Sequence, residues 1–163
     1  MAQNKKFNLN TPVPELNYNL FVCIIIAIGI FFRLYHFFNN RSLWEDEIYL
    51  SSGIINHSFN DIFTKQLPYL QKAPLGYLLV ARFFVSIFGT NEIGLRFFPL
   101  LCGTISLFVF LPVARYFLKL EGLIIALCIF SFAPTLVYHS VEAKPYITEL
   151  LATINYHKAL HNL

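Results

Sequence analysis

Charge is scarce in this chain. Of its 163 residues, 13% are Asp, Glu, Lys or Arg, against about 25% in ordinary soluble domains. That shortage argues against a water-soluble domain. No block of basic residues is present either, and a formal net charge of +3 gives no footprint for nucleic acid. Cysteine is limited to three residues, an odd number, with no Cys-x-x-Cys pair. Cys23, Cys102 and Cys128 all sit in apolar runs, where a free thiol behaves as a small hydrophobe. A disulfide framework and a metal cluster are excluded on that ground. Methionine and tryptophan occur once each, whereas phenylalanine occurs 18 times and 56% of the chain is hydrophobic. Such an abundance of apolar surface excludes disorder. It points instead to a chain that faces lipid. No internal repeat or low-complexity linker is visible.

Crossing a bilayer takes about 20 apolar residues. Four segments are assigned as spans, over residues 18–38, 97–117, 122–139 and 146–163. The first follows a polar N-terminus carrying Lys5 and Lys6 and lacks a small-residue cleavage site, so it reads as a retained anchor. Pro134 falls inside the third, where neighbouring groups can satisfy a freed carbonyl. Pro145 opens the fourth at its first turn. Between the first two spans, residues 39–96 form a large external loop. Within that loop, Pro74–Gly89 covers roughly 24 Å of helix, short of the roughly 30 Å hydrocarbon core, with Arg82 at its middle. It is assigned as a helix lying along the interface. Arg115 and Lys119 then return to the side of Lys5 and Lys6, as the positive-inside rule prefers. The fold class is therefore all-α, a polytopic integral membrane protein. The chain ends without a polar tail, and the expectation is the N-terminal part of a larger protein.

Four short segments carry chemistry. Trp44-Glu45-Asp46-Glu47 places three carboxylates just beyond the first span. Ser42 and Glu45 have the spacing of a capping box, so a solvated helix start explains them locally. Alternatively, one carboxylate acts as general base toward a hydroxyl, or the group could bind a divalent cation. Lys72 precedes the interfacial helix and can meet a phosphate at headgroup level or merely snorkel. Arg96, at the start of the second span, has the planar fork that suits phosphate, or serves as a boundary anchor. Tyr138-His139-Ser140-Val141-Glu142-Ala143-Lys144-Pro145-Tyr146 returns to the same face. Two Asn-x-Ser patterns, at Asn40 and Asn56, and the His157/His161 pair carry no argument. The joint placement is what matters, because cations and a carboxylate on one face suit an anionic lipid-linked donor and a hydroxyl acceptor.

These segments resemble a known family. Trp44-Glu45-Asp46-Glu47 resembles the W-x-D-E signature in the first external loop of GT-C membrane glycosyltransferases. Gln71-Lys72-Ala73-Pro74-Leu75-Gly76-Tyr77 is similar to the K-P-P-L-x-Y-type segment that follows it. Phe88 to Pro99 resembles F-G-x-x-E-x-x-x-R-x-x-(P/S), and Ser140 to Tyr146 resembles S-x-E-A-R-P-Y. The four occur in order from about Phe32 to Ile154. The closest group is glycosyltransferase family 39, the protein mannosyltransferase-like and aminoarabinose transferase-like enzymes. Two departures are Lys144 in place of arginine and Ala73 in place of proline.

The resemblance implies a GT-C-type set of N-terminal helices. It implies inverting transfer of a sugar from a polyprenyl-phosphate donor to an acceptor (lipid, glycan or protein) outside the cytoplasm. Asp46 matches the catalytic aspartate and Glu47 its partner acid. Lys72 and Arg96 match positions associated with the donor phosphate. Trp44, Glu142, Lys144 and Tyr146 are supporting residues. No cofactor is required, although Asp46 and Glu47 could hold a divalent cation. The expected location is a bacterial inner membrane, crossed several times, with no nucleic-acid partner. The competing class is a non-catalytic membrane subunit, a transporter fragment or an inactive truncated product.

Overall fold

The computed structural model describes residues 15–161. Those residues fold entirely as helices and connecting turns, with no strand among them. Helix α1 is Glu15–Phe38, α2 Glu45–Asn56, α3 Phe59–Thr64 and α4 Leu75–Phe88, with a short 3-10 turn at Pro68–Leu70 between α3 and α4. Helix α5 is Glu92–Phe117, α6 Leu120–Phe132, α7 Pro134–His139 and α8 Tyr146–Leu160. Two of these, Tyr18–Phe38 within α1 and Glu92–Phe117, are long and apolar enough to cross a membrane. Lys5, Lys6 and the last two residues of the expected 146–163 span lie outside the described residues.

Helix α5 is the central pillar and packs against α1, α4, α6 and α8. Two apolar clusters flank it. One joins Leu50 and Ile54 of α2 to Tyr77, Leu78, Ala81 and Val85 of α4 and Leu95 of α5. The other joins Val22, Ile25 and Ile26 of α1 to Leu107 of α5, Leu127 and Phe130 of α6, and Ile154 of α8. At Gly103, an added Cβ would stand 2.5 Å from Ser140 Cβ. The side chain of Ser140, in the turn after α7, therefore occupies the space a Cβ would take on α5, which only glycine leaves free.

Three sequence expectations are corrected. The 122–139 segment is not one helix. Ala133 has ψ of 122°, because the residue before a proline is pushed out of the α region, and the chain breaks into α6 and α7. The second long helix starts at Glu92 rather than Phe97, since Asn91 accepts a hydrogen bond from Gly94 N at 2.9 Å and caps it. The segment between the two long helices therefore ends before Glu92, and Arg96 lies inside α5. Lastly, α2 is capped at Trp44, not Ser42: Glu47 Oε2 accepts from Trp44 N at 3.3 Å.

Two arginines inside apolar helices take backbone carbonyls rather than acids as partners. Arg82 of α4 donates to Ile55 O at 2.9 Å, one of the carbonyls left free at the end of α2. Arg33 of α1 is fully buried. It donates to Ser131 O at 3.1 Å, Phe130 O at 3.5 Å and Ser140 Oγ at 3.1 Å. Pro134 has no N–H to offer Phe130 O, so the break between α6 and α7 leaves acceptors that the guanidinium fills.

Candidate functional site

The start of α2, the start of α5, the Gln71 strand of chain and the turn between α7 and α8 meet at one end of the molecule. Three carboxylates there, Glu47, Asp46 and Glu142, each pair with a different side chain: Arg96, Lys144 and His139. Acids at a helix start are favoured by the macrodipole, and here they also reach tertiary partners.

Glu47 is completely buried. Its Oε1 accepts from Arg96 Nε at 3.2 Å and from Ala143 N at 2.8 Å, and its Oε2 accepts from Arg96 Nη2 at 3.0 Å. Arg41 Nη2 lies 3.7 Å from the same carboxylate. Arg96 is buried as well, and its remaining Nη1 donates to Arg41 O at 2.6 Å. Arg96 thus spends its Nε, its Nη2 and one bond from Nη1 on partners inside the protein. Glu47 faces Arg96 and the 143 backbone, so it locks α2, α5 and the 139–146 turn together.

Asp46 is arranged differently. Lys144 Nζ stands 2.8 Å from its Oδ2, with the lysine side chain 5% exposed and the aspartate 39% exposed. Gln71 donates to Asp46 Oδ1 at 3.4 Å and accepts from Lys144 Nζ at 3.1 Å. A buried cation thus holds an accessible carboxylate from beneath. Lys72, next to Gln71, is exposed and makes no ion pair with any described residue. Lys72 follows directly in the chain on Gln71, the residue that bonds Asp46. Asp46 and Arg96 are linked only through the neighbouring Glu47.

The third carboxylate, Glu142, is also buried. Trp44 Nε1 donates to its Oε1 at 3.0 Å, and His139 Nδ1 lies 2.6 Å from its Oε2. The His139 ring in turn lies 4.9 Å from the exposed Tyr146 ring. Beneath this end, burial and then the Glu47 charge push the Tyr77 phenol well above its ordinary range.

Of the two adjacent acids, Glu47 is paired with Arg96 and Asp46 with Lys144. No group of three or more metal-ligating side chains occurs among the described residues. Arg41 and His139 were not singled out from the sequence. Arg41 sits 3.9 Å over the Tyr138 ring, a contact across the fold that no local spacing announces. His139 had a local signal, because it stands three residues before Glu142.

No family model matches the chain, and no curated protein or solved structure matches it either.

Proposed function

We propose that this chain carries the reacting site of a polytopic membrane glycosyltransferase of the GT-C kind. It transfers a sugar from a polyprenyl-phosphate donor to a hydroxyl acceptor on the non-cytoplasmic face. The observation that carries the reading is Asp46: an accessible carboxylate held by Lys144 and Gln71, with the exposed Lys72 as the next residue. The order of the four resembling segments supports the same reading. So does the length of α5, which separates Arg96 from Arg115 by about 29 Å of helix at 1.5 Å per residue, close to the hydrocarbon thickness.

In the proposed reaction, Asp46 takes the proton of the attacking hydroxyl. The acceptor oxygen bonds to the anomeric carbon from the face opposite the phosphate. The bond from that carbon to the phosphate oxygen breaks, and polyprenyl phosphate leaves. Lys72 stabilises the charge that develops on the phosphate. Glu47 and Arg96 fix the helix start on which Asp46 stands. No covalent intermediate forms and the anomeric centre inverts.

Membranes containing the chain are expected to release polyprenyl phosphate from polyprenyl-phosphate mannose or polyprenyl-phosphate aminoarabinose. Absence of release from both rejects this donor class. Single cysteines at Asn60, Ile93 and Lys119 test the topology. The first two are expected to react with an impermeant thiol reagent from outside, and the third only from the cytoplasm.

The competing reading, a non-catalytic membrane subunit, draws on the burial of Glu47, Arg96 and Glu142, which are fully used as internal ties. It leaves the exposure of Asp46 and Lys72 without a purpose.

A further inference from the structure

Three carboxylates at this end, those of Glu47, Asp46 and Glu142, face cationic partners that differ in kind. Glu47 has the guanidinium of Arg96, which is charged at every physiological pH. Asp46 has the ammonium of Lys144. Glu142 has His139 as its only cationic partner among the described residues. Histidine is the one side chain whose charge ordinarily changes between about pH 5 and 8. The Glu142 carboxylate is 3% exposed, so water does little to buffer a change in that partner. Its other oxygen is hydrogen-bonded to the indole of Trp44, the residue that caps α2 and stands two positions before Asp46.

We propose that His139 is a positioning residue for Asp46: through Glu142 and Trp44 it couples its own protonation to the start of α2. This rests on the reading of Asp46 as the reacting carboxylate. When His139 gains a proton, its contact with Glu142 becomes an ion pair with a charge-assisted hydrogen bond. The negative charge that faces the Trp44 N–H is then partly neutralised. The other charged and titratable groups on this face are Lys144 on Asp46, Arg96 and Arg41 on Glu47, and the phenols of Tyr138 beneath Arg41 and Tyr146 beside His139.

Trp44 is the only tryptophan, so the coupling has an internal reporter. The full chain in detergent micelles is expected to show one sigmoidal change in Trp44 emission between about pH 5 and 8. His139→Gln and Glu142→Gln are both expected to abolish it. His139→Lys, which supplies a permanent cation, is expected to give the acid-side emission at every pH, while His36→Gln and His57→Gln keep the transition. A flat wild-type profile, or a transition that survives in His139→Gln, overturns the inference. Should His139→Gln fail to fold, the indole N–H resonance of wild-type Trp44 followed by NMR serves instead, and its independence of pH overturns the inference equally. The outcome is separable from the transferase reading. Sugar transfer with a flat Trp44 profile removes only the coupling, and a titrating Trp44 in a chain without transfer removes only the enzyme assignment.

Discussion

Lys144 Nζ stands 2.8 Å from Asp46 Oδ2, and the lysine is buried while the aspartate is open. Burying a cation costs free energy unless it is paired, so Lys144 ties the α7–α8 turn to the start of α2. The same contact fixes Asp46 where a ligand can reach it. Three further ties share this end, namely Glu47 with Arg96, Glu142 with Trp44, and Arg41 with Tyr138.

Breaking the buried pair is expected to be severe. Glu47→Ala or Arg96→Ala leaves one charge without its partner in the interior, at a cost of about 3–5 kcal/mol. Chemical or thermal unfolding in detergent should show that loss for each single variant. The double variant Glu47→Leu with Arg96→Met should recover much of it, since an apolar replacement of a buried pair is often neutral.

Arg33 is expected to hold α1 to the break between α6 and α7. Arg33→Met orphans the Phe130 and Ser131 carbonyls, each at about 1–3 kcal/mol. Arg33→Lys keeps the charge but not the fork, and should fall between Met and wild type in the same unfolding measurement. Equal stability of all three would exclude the staple.

Two glycines should respond in opposite directions. Gly103→Ala forces a methyl against the Ser140 side chain, whose Cβ lies 2.5 Å away and whose hydroxyl is held by Arg33 and Leu136 O, and should lower the melting temperature. Gly76, in the first turn of α4, has nothing within 4 Å of an added Cβ. Gly76→Ala should raise stability by roughly 0.4–1 kcal/mol, through the reduced freedom of the unfolded chain.

Asp61 gives a pH-dependent term. The Lys65 ammonium, 2.8 Å away, and the Ser58 N–H and hydroxyl hold its carboxyl well below the ordinary 3.8. A depressed acid stabilises the fold above its unfolded value, and that contribution fades as pH falls below it. Asp61→Asn should therefore melt lower than wild type at pH 7, with a smaller gap at pH 3. A gap that stays constant would mean that ionisation is not involved.

Much of the helical layout was legible in the residues. The apolar run after Tyr18 ends where α1 ends, because length and hydropathy alone set that boundary. The Pro74–Gly89 helix was legible from its apolar length. The break at Ala133–Pro134 was in principle readable, since proline disfavours helix at the residue before it, but a lipid-exposed reading allowed the helix to continue. The start of α5 was readable from Asn91, a good cap placed before an acid. The site was legible as a set of residues and not as a set of partners. Arg96 looked free because Glu47, which consumes its donors, is 49 positions away, and spacing along a chain carries no information about such a pair. Lys144 could not be matched to Asp46 for the same reason. The internal role of Arg33 was hidden because its partners are backbone carbonyls released by a break that the sequence reading did not place.

The most direct test of the account is the rate of polyprenyl-phosphate release by Asp46→Asn membranes beside wild type, with the melting temperature of each measured in parallel. The asparagine can still accept from Lys144, so the fold should persist. The release rate should fall by about 10²-fold or more, the range of a lost general base. Undiminished release by a folded Asp46→Asn chain would contradict the assignment of Asp46 as the reacting carboxylate.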